Sequence, residues 1–336
     1  MRRRVAIVGI GQTYHGAHRP DVNQSEMINE AVTDALEDAQ LGIKNIDYII
    51  HGNMELFEGT RQPDMWHVDG DGGYLKSGIR ITTGGTTGGT LLNVACNYVA
   101  SGLVDVAMAV GWEKQEEGGT TAGITAMSDP LWGRKLQTGA ISGMSAAGMI
   151  RDFGERAELA AAKRRVQLGE GAAGNPKAHL RQRVTVEDVM KSRMLVYPLR
   201  LLHMCPQSCG ACVVIVASEE RAEKITKKPV WVKDHVTTHL EGALNIGDFM
   251  GAESAERSTM RVCARKLYKR NGITNPMKEI DLFEMYDPSV WMDLEWTDWF
   301  FLLDRGESIR LVEEGVTALD GAFPINPSGG VVCTNP

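Results

Sequence analysis

Residues Arg80–Glu113 read RITTGGTTGGTLLNVACNYVASGLVDVAMAVGWE, and the fold turns on how this stretch is parsed. Its opening run, Thr82 to Thr90, holds no side chain larger than threonine and leads straight into Leu91, Leu92, Val94, Ala95, Tyr98 and Val99. That apolar set has helical spacing; the Thr/Gly run supplies N-cap residues and Gly102 supplies a stop. Val104–Gly111 (VDVAMAVG) then reads as a strand buried on both faces. The stretch therefore predicts a buried helix entered through a glycine-rich turn and followed by a core strand. A helix start bare of side chains suits an anion or a developing oxyanion. Tight helix–sheet packing calls for the same small residues, and this window alone leaves both readings open.

Outward from it, Val5–Gly11 (VAIVGIG) reads as a buried strand. Its G-I-G is not a dinucleotide fingerprint, because loop chemistry (Gln12 to Asp21) follows instead of a helix with a third glycine. Ser25 is expected to cap a helix running to about Gln40, with Met27, Ile28, Ala31, Val32, Ala35, Leu36 and Ala39 on one face. Ile46–Gly52 is the next strand, and residues 53–79 read as a long ordered loop. Past Glu113, residues 115–140 are loop-like and 141–195 carry small-residue and charged helices. Two segments repeat one pattern: helix, Gly-Ile turn, then a strand opening Ile-Asp, at residues 35–50 and again at 264–284. Sequential β–α order in both halves predicts an α/β fold with a mainly parallel, doubly covered sheet in each.

The 336 residues, 43% hydrophobic and 24% charged, fit a globular protein of about two domains. A net charge of −7 argues against nucleic-acid binding, and the chain has neither an 18-residue apolar run nor a signal h-region, so a cytoplasmic location without membrane contact is expected. The six cysteines read as thiols. Cys205, Cys209 and Cys212 lack a fourth ligand, and His15, His18, His51 and His67 share no paired helical spacing; no metal is expected.

The small polar run, T-G, a helix ending in SG, and D-V-A-x-A-V-G-W-E-K resemble the nucleophile region of thiolases, of the sterol-carrier-protein-type and archaeal acetyl-CoA acetyltransferase-like branch. The resemblance implies the thiolase fold: two pseudo-repeated βαβαβ halves forming a five-layered αβαβα core, with an inserted loop domain. It divides the chain into an N-terminal half (1–113), a loop domain covering coenzyme A (114–197) and a C-terminal half (198–336). The family's last strands and its C-x-G loop lie beyond Pro336, as they would for a fragment. In such thiolases the run reads N-x-x-C-S-T-G-S; aligned on Thr87-Gly88, the nucleophilic cysteine falls at Gly85. Glu284-Met285-Tyr286-Asp287 stands where the family has E-x-H-D, so Tyr286 replaces a histidine while Asp287 is kept. Ile325-Asn326-Pro327-Ser328-Gly329-Gly330 matches the family's x-N-P-S-G-G loop, and Asn335 takes the place of the histidine in G-H-P. In the P-L-x(n)-C-x-P-x-x-D-G segment, Cys209 stands where aspartate is usual.

The resemblance thus implies an acyl-CoA enzyme that makes or breaks a carbon–carbon bond, acyltransferase-like but without the usual cysteine. Tyr286, Asn335, Gly85 and Asp287 are its candidate catalytic residues, Tyr286 as a tyrosine of lowered pKa. Thr86, Ser328, Gly329, Gly330, Arg181 and Arg183 are candidates for substrate or coenzyme A; the basic cluster Lys163, Arg164, Arg165, His179, Arg181 and Arg183 suits its phosphates. Coenzyme A enters as substrate or carrier, with no bound cofactor. A retro-aldol lyase acting on β-hydroxyacyl-CoA through Tyr286, resembling the thiolase-like steroid side-chain aldolases, and a non-catalytic subunit of a heteromeric complex are the alternatives. A homodimer and a small OB-fold, zinc-ribbon partner are implied as well. Trp291, Trp296 and Trp299 with Phe300 and Phe301 are divided between core packing and an interface.

Overall fold

The computed structural model describes residues 3–55, 62–119, 140–239 and 258–334. By internal contacts the chain falls into two units: Met1–Met127 with Gln207–His235, and Ser128–Pro206 with Val236–Pro336.

The first unit is built on one six-stranded sheet. Its strands are β1 (Val5–Gln12), β2 (Tyr48–Gly52), β3 (Ser77–Arg80), β4 (Val106–Lys114), β5 (Cys209–Ser218) and β6 (Val230–Trp231), in the order β3-β2-β4-β5-β1-β6. β2 pairs in parallel with β3 and β4, whereas β5 runs antiparallel to both β4 and β1, so the sheet is mixed and not mainly parallel. Cys209–Ser218, which falls in the C-terminal segment by chain order, lies here between β4 and β1. β3 begins within the stretch read as loop, residues 53–79.

Two helices cover this sheet. Alternation along β4 sends Val106, Met108, Val110 and Trp112 toward helix α1 (Gln24–Ala39) and the smaller Ala107 and Ala109 toward helix α2 (Thr87–Ser101). α1 is capped by Asn23, not Ser25: Asn23 Oδ1 accepts the Glu26 N–H at 2.9 Å and Glu26 Oε2 accepts the Asn23 N–H at 2.8 Å. Only Asn23 has an acid three residues on, the spacing a capping box needs. Ser25 instead bonds His67 Nδ1 at 3.0 Å. Gly11 lies hard against α1; a Cβ there would stand 2.0 Å from the Ala31 carbonyl, so the glycines of VAIVGIG serve close helix packing.

In the second unit, helices α3 (Ala140–Phe153), α4 (Glu155–Gly174), α5 (Thr259–Asn271), α6 (Val290–Phe300) and α7 (Glu307–Glu313) dominate. α6 is buried from Val290 through Trp299, so Trp291, Trp296 and Trp299 are core residues and form no exposed aromatic face. Its acids are each answered internally: Asp293 by Arg164 at 2.6 Å, Glu295 by Ser145 at 2.8 Å and Arg305 at 3.0 Å, and Asp298 by the N–H groups of Gly306 and Ser308. The strand expected at residues 280–284 forms, among the described residues, one parallel bridge, Phe283 with Ile325. No described helix is long and apolar enough to cross a membrane, and no described group of three His, Cys, Asp or Glu side chains is arranged to hold a metal.

Candidate active site

In the first unit the candidate residues lie at the start of α2. Thr87 Oγ1 accepts the Thr83 N–H at 3.0 Å and donates to the Gly84 carbonyl at 2.7 Å, closing the turn. Thr86 Oγ1 donates to the Thr83 carbonyl at 2.9 Å, and the Thr83 and Thr90 hydroxyls lie 2.9 Å apart. These threonines are engaged in shaping the helix entrance, which leaves none as a free nucleophile. Gly84 needs its glycine, at φ +65°. Gly85 does not: its φ is not positive, and nothing lies within 4 Å of where a Cβ would sit. The same emptiness surrounds Gly88 and Gly89, so tight packing does not explain this run.

The second unit assembles its candidates around Asn326. Asn326 Oδ1 accepts the Met285 N–H at 2.7 Å, and the Asn326 N–H donates to the Phe283 carbonyl at 2.7 Å, joining the N-P-S-G-G loop to E-M-Y-D. Ser328 is held by Glu284, its N–H and Oγ each donating to that carboxylate at 2.9 Å. Gly329, at φ +110°, packs on Ala172 of α4; Gly330, at φ +61°, lies against Asp287, whose Oδ2 would be 2.3 Å from an added Cβ. These three residues therefore shape the loop, and the donors of Ser328 are already taken.

Tyr286 is 45% exposed, with its ring centroid 6.0 Å from that of Trp296. Burial around the phenol, with the Cys205 thiol and the Asp287 carboxyl adding, pushes it above the ordinary tyrosine range, which corrects the expectation of a lowered pKa. Tyr286 is thus a proton donor, not a ready base. Asp287 is fully buried and accepts the Val331 N–H, while its Oδ2 has no partner. Burial and the negative charge of Asp293 hold it well above the carboxylate range. Asn335 lies outside the described residues.

The basic cluster separates. Arg164 and Arg165 turn into the core. Arg181 and Arg183 are exposed, Arg183 pairing with Glu170 at 2.8 Å and Arg181 reaching the Ala173 carbonyl at 3.4 Å. The one group sequence reasoning missed here is Cys205. Its N–H donates to the Pro288 carbonyl at 3.0 Å, and burial, with Asp287 nearby, raises its thiol to about 12. The cysteine spacing around it pointed toward metal ligation; only the chain's return to Pro288 shows that Cys205 belongs beside Tyr286.

Comparison with known proteins reaches the same architecture. Residues 248–336 match the family model described as thiolase C-terminal domain-like. An acetyl-CoA acetyltransferase of Methanothermobacter thermautotrophicus is 32% identical over 337 residues, covering 98% of this chain and 85% of the relative. The chain belongs to the thiolase superfamily. Within it, the chain is similar to archaeal acetyl-CoA acetyltransferases and to sterol carrier protein 2 of Bos taurus. The benzoylsuccinyl-CoA thiolase subunit BbsB of Thauera aromatica is 29% identical, with 99% of this chain and 84% of the relative covered. Among solved structures, the Ltp2-ChsH2(DUF35) aldolase superposes with a TM-score of 0.80 at 23% identity, over 98% of this chain and 85% of that one. The α/β thiolase fold, a mixed sheet with flanking helices, is thus established for this superfamily member.

Proposed function

We propose that this thiolase-superfamily protein makes or breaks a carbon–carbon bond of an acyl-CoA thioester without forming a cysteine-bound acyl-enzyme. What supports this reading is Gly85, which falls at the nucleophile position when the chain is laid on the family pattern by Thr87-Gly88, and where neither packing nor backbone conformation calls for a glycine. Glycine has no group that can be acylated. Gly85 itself is exposed, and no described atom fills the space beside it.

The neutral phenol of Tyr286 favours retro-aldol cleavage of a β-hydroxyacyl-CoA over acyl transfer. In that reaction the β-hydroxyl gives its proton to solvent, the Cα–Cβ bond breaks to release a carbonyl compound, and the thioester enolate takes up a proton at Cα. A tyrosine that keeps its proton suits that last step. Asp287, next to it in sequence, accepts the Val331 N–H and so positions the Gly330 loop. The N–H groups at Gly85 and Thr86 are candidates for the thioester oxygen, and Asn335 supplies an amide at the place of the family histidine. Arg181 and Arg183 remain surface candidates for coenzyme A phosphates. We place this chemistry in the cytoplasm.

A homodimer is supported by the open edge of the sheet at β3 and, in the same unit, by Met65, Trp66 and Leu75, which are 67%, 70% and 90% exposed. A small OB-fold, zinc-ribbon partner is supported by the names of the relatives: one is a thiolase subunit and another is paired with ChsH2(DUF35). The deciding experiment is mass spectrometry of products from β-hydroxyacyl-CoA and β-ketoacyl-CoA panels, with and without free coenzyme A, using the chain co-expressed with such a partner. Cleavage of β-hydroxy substrates without added coenzyme A is expected. CoA-dependent cleavage of β-keto substrates would return the protein to thiolase chemistry, and no turnover of either would make it a non-catalytic subunit.

A further inference from the structure

Arg164 and Arg165 are adjacent on α4 and both are buried, at 1% and 2% exposure. A guanidinium does not shed its charge inside a protein, so each needs an anion or a full set of acceptors where it lies. Arg164 has both: two hydrogen bonds to Asp293, and the carbonyls of Thr317 and Ile325 at 3.2 and 2.9 Å. Arg165 has neither. Its Nε and Nη1 are buried without a hydrogen-bond partner, and among the described residues it forms no ion pair. Room for the group is made one turn along α4, where a Cβ on Gly169 would stand 2.9 Å from Nη1.

The neighbouring acids do not neutralise it. Cys333 feels the charge of Arg165, yet burial still pushes its thiol up to about 11, so it remains a neutral SH near pH 7. Asp287, which also acts on Cys333, accepts the Val331 N–H, and burial with the negative charge of Asp293 raises its carboxyl well above the ordinary range, which weakens it as a counter-ion. Arg165 therefore lies near Cys333 as a buried cation with no counter-ion among the described residues, among the costliest features a core can hold.

We propose that Arg165 is a specificity residue whose counter-ion is a carboxylate on the acyl group of the substrate, so that the protein selects acyl-CoA thioesters bearing a free acid. This rests on the acyl-CoA reading above. The planar guanidinium fork matches a carboxylate through paired N–H donors. Its depth separates it from the exposed Arg181 and Arg183, which suit the hydrated phosphates of coenzyme A instead.

The test is calorimetric titration of the full chain with S-carboxypropyl-CoA and S-butyl-CoA, thioethers that differ in the terminal carboxylate and do not turn over, and with free succinate. The carboxylated ligand is expected to bind at least about tenfold tighter, and Arg165→Met is expected to abolish that preference while leaving S-butyl-CoA affinity unchanged. Equal affinities in the wild type, or a preference that survives in Arg165→Met, overturn the proposal. Should the methionine variant not fold, the wild-type comparison together with Arg165→Lys, which keeps charge but loses the fork, decides it. If neither thioether binds, the acyl-CoA reading fails by itself. Succinate binding that is lost in Arg165→Met would then uphold the carboxylate site, and no succinate binding would remove it.

Discussion

Asn326 accepts the Met285 N–H through its side chain at 2.7 Å, inside the protein and one residue before Tyr286. Its own backbone is held at φ +50°, a left-handed conformation that asparagine tolerates better than most residues. Asn326 thus fixes both the loop it belongs to and the strand-like segment carrying the tyrosine. Asn326→Ala leaves a buried N–H without an acceptor and places alanine in a strained conformation. Urea unfolding is expected to show a loss of about 2–4 kcal/mol, from an unsatisfied donor and the left-handed penalty together. A loss below about 0.5 kcal/mol, the ordinary range of a surface change, would contradict this account.

How legible this was differs from element to element. α2 and β4 could be read because Leu91, Ala95 and Val99 recur at helical spacing and a continuous apolar run follows; both signals are local. The place of Cys209–Ser218 between β4 and β1 depends on pairings with residues some 100 and 200 positions away in order of magnitude, which no window contains. Arg164 looks like solvent-facing charge until Asp293, 129 positions on, turns it inward. α6 carries no amphipathic stripe because it is enclosed on every side, so its tryptophans looked equally suited to an interface. The site motifs were readable through resemblance, but the raised pKa of Tyr286 was not, since it follows from burial of the phenol, with Cys205 and Asp287 adding.

Two glycines separate space from strain. Gly85 has open surroundings and an ordinary φ, so Gly85→Ala is expected to leave stability within about 1 kcal/mol of wild type, with any change favouring the folded state. Gly330 at φ +61° abuts Asp287, and Gly330→Ala is expected to cost upwards of about 2 kcal/mol. Thermal unfolding of the two variants side by side checks this. If Gly85→Ala folds as well as wild type yet loses turnover, substrate fills that space; retained turnover would mean that it does not.

Asp298 links stability to pH. Buried on α6, it accepts the N–H groups of Gly306 and Ser308 at the start of α7, at 2.6 and 2.7 Å, and burial nonetheless raises its carboxyl to about 7. The unfolded chain releases that proton near the ordinary aspartate value of about 4. Between these limits the folded state holds more protons than the unfolded state, so the contribution of Asp298 is largest below about pH 4, declines as pH rises toward 7, and is constant above. Denaturant unfolding across pH 4–8 is expected to show that decline in wild type and a flatter profile in Asp298→Asn. Identical slopes would remove Asp298 from the linkage.

Tyr286→Phe tests the chemistry most directly. Removing the hydroxyl keeps the ring beside Trp296 and deletes only the proton, so folding and acyl-CoA affinity are expected to stay near wild type while turnover falls about 10²- to 10⁴-fold, the range for a general acid. The pH profile adds an independent reading. A proton donor works while protonated, and Tyr286 is raised above the ordinary tyrosine range, so its step is expected to persist as pH rises through 10, with no alkaline loss assignable to the phenol below that point. An alkaline limb centred at pH 8–9 in wild type and absent in Tyr286→Phe would mean that the phenol is lowered in the substrate complex and acts as a base. Unchanged turnover in Tyr286→Phe would take the residue out of the reaction, leaving Cys205, the thiol that closes on the same phenol, as the next group to substitute.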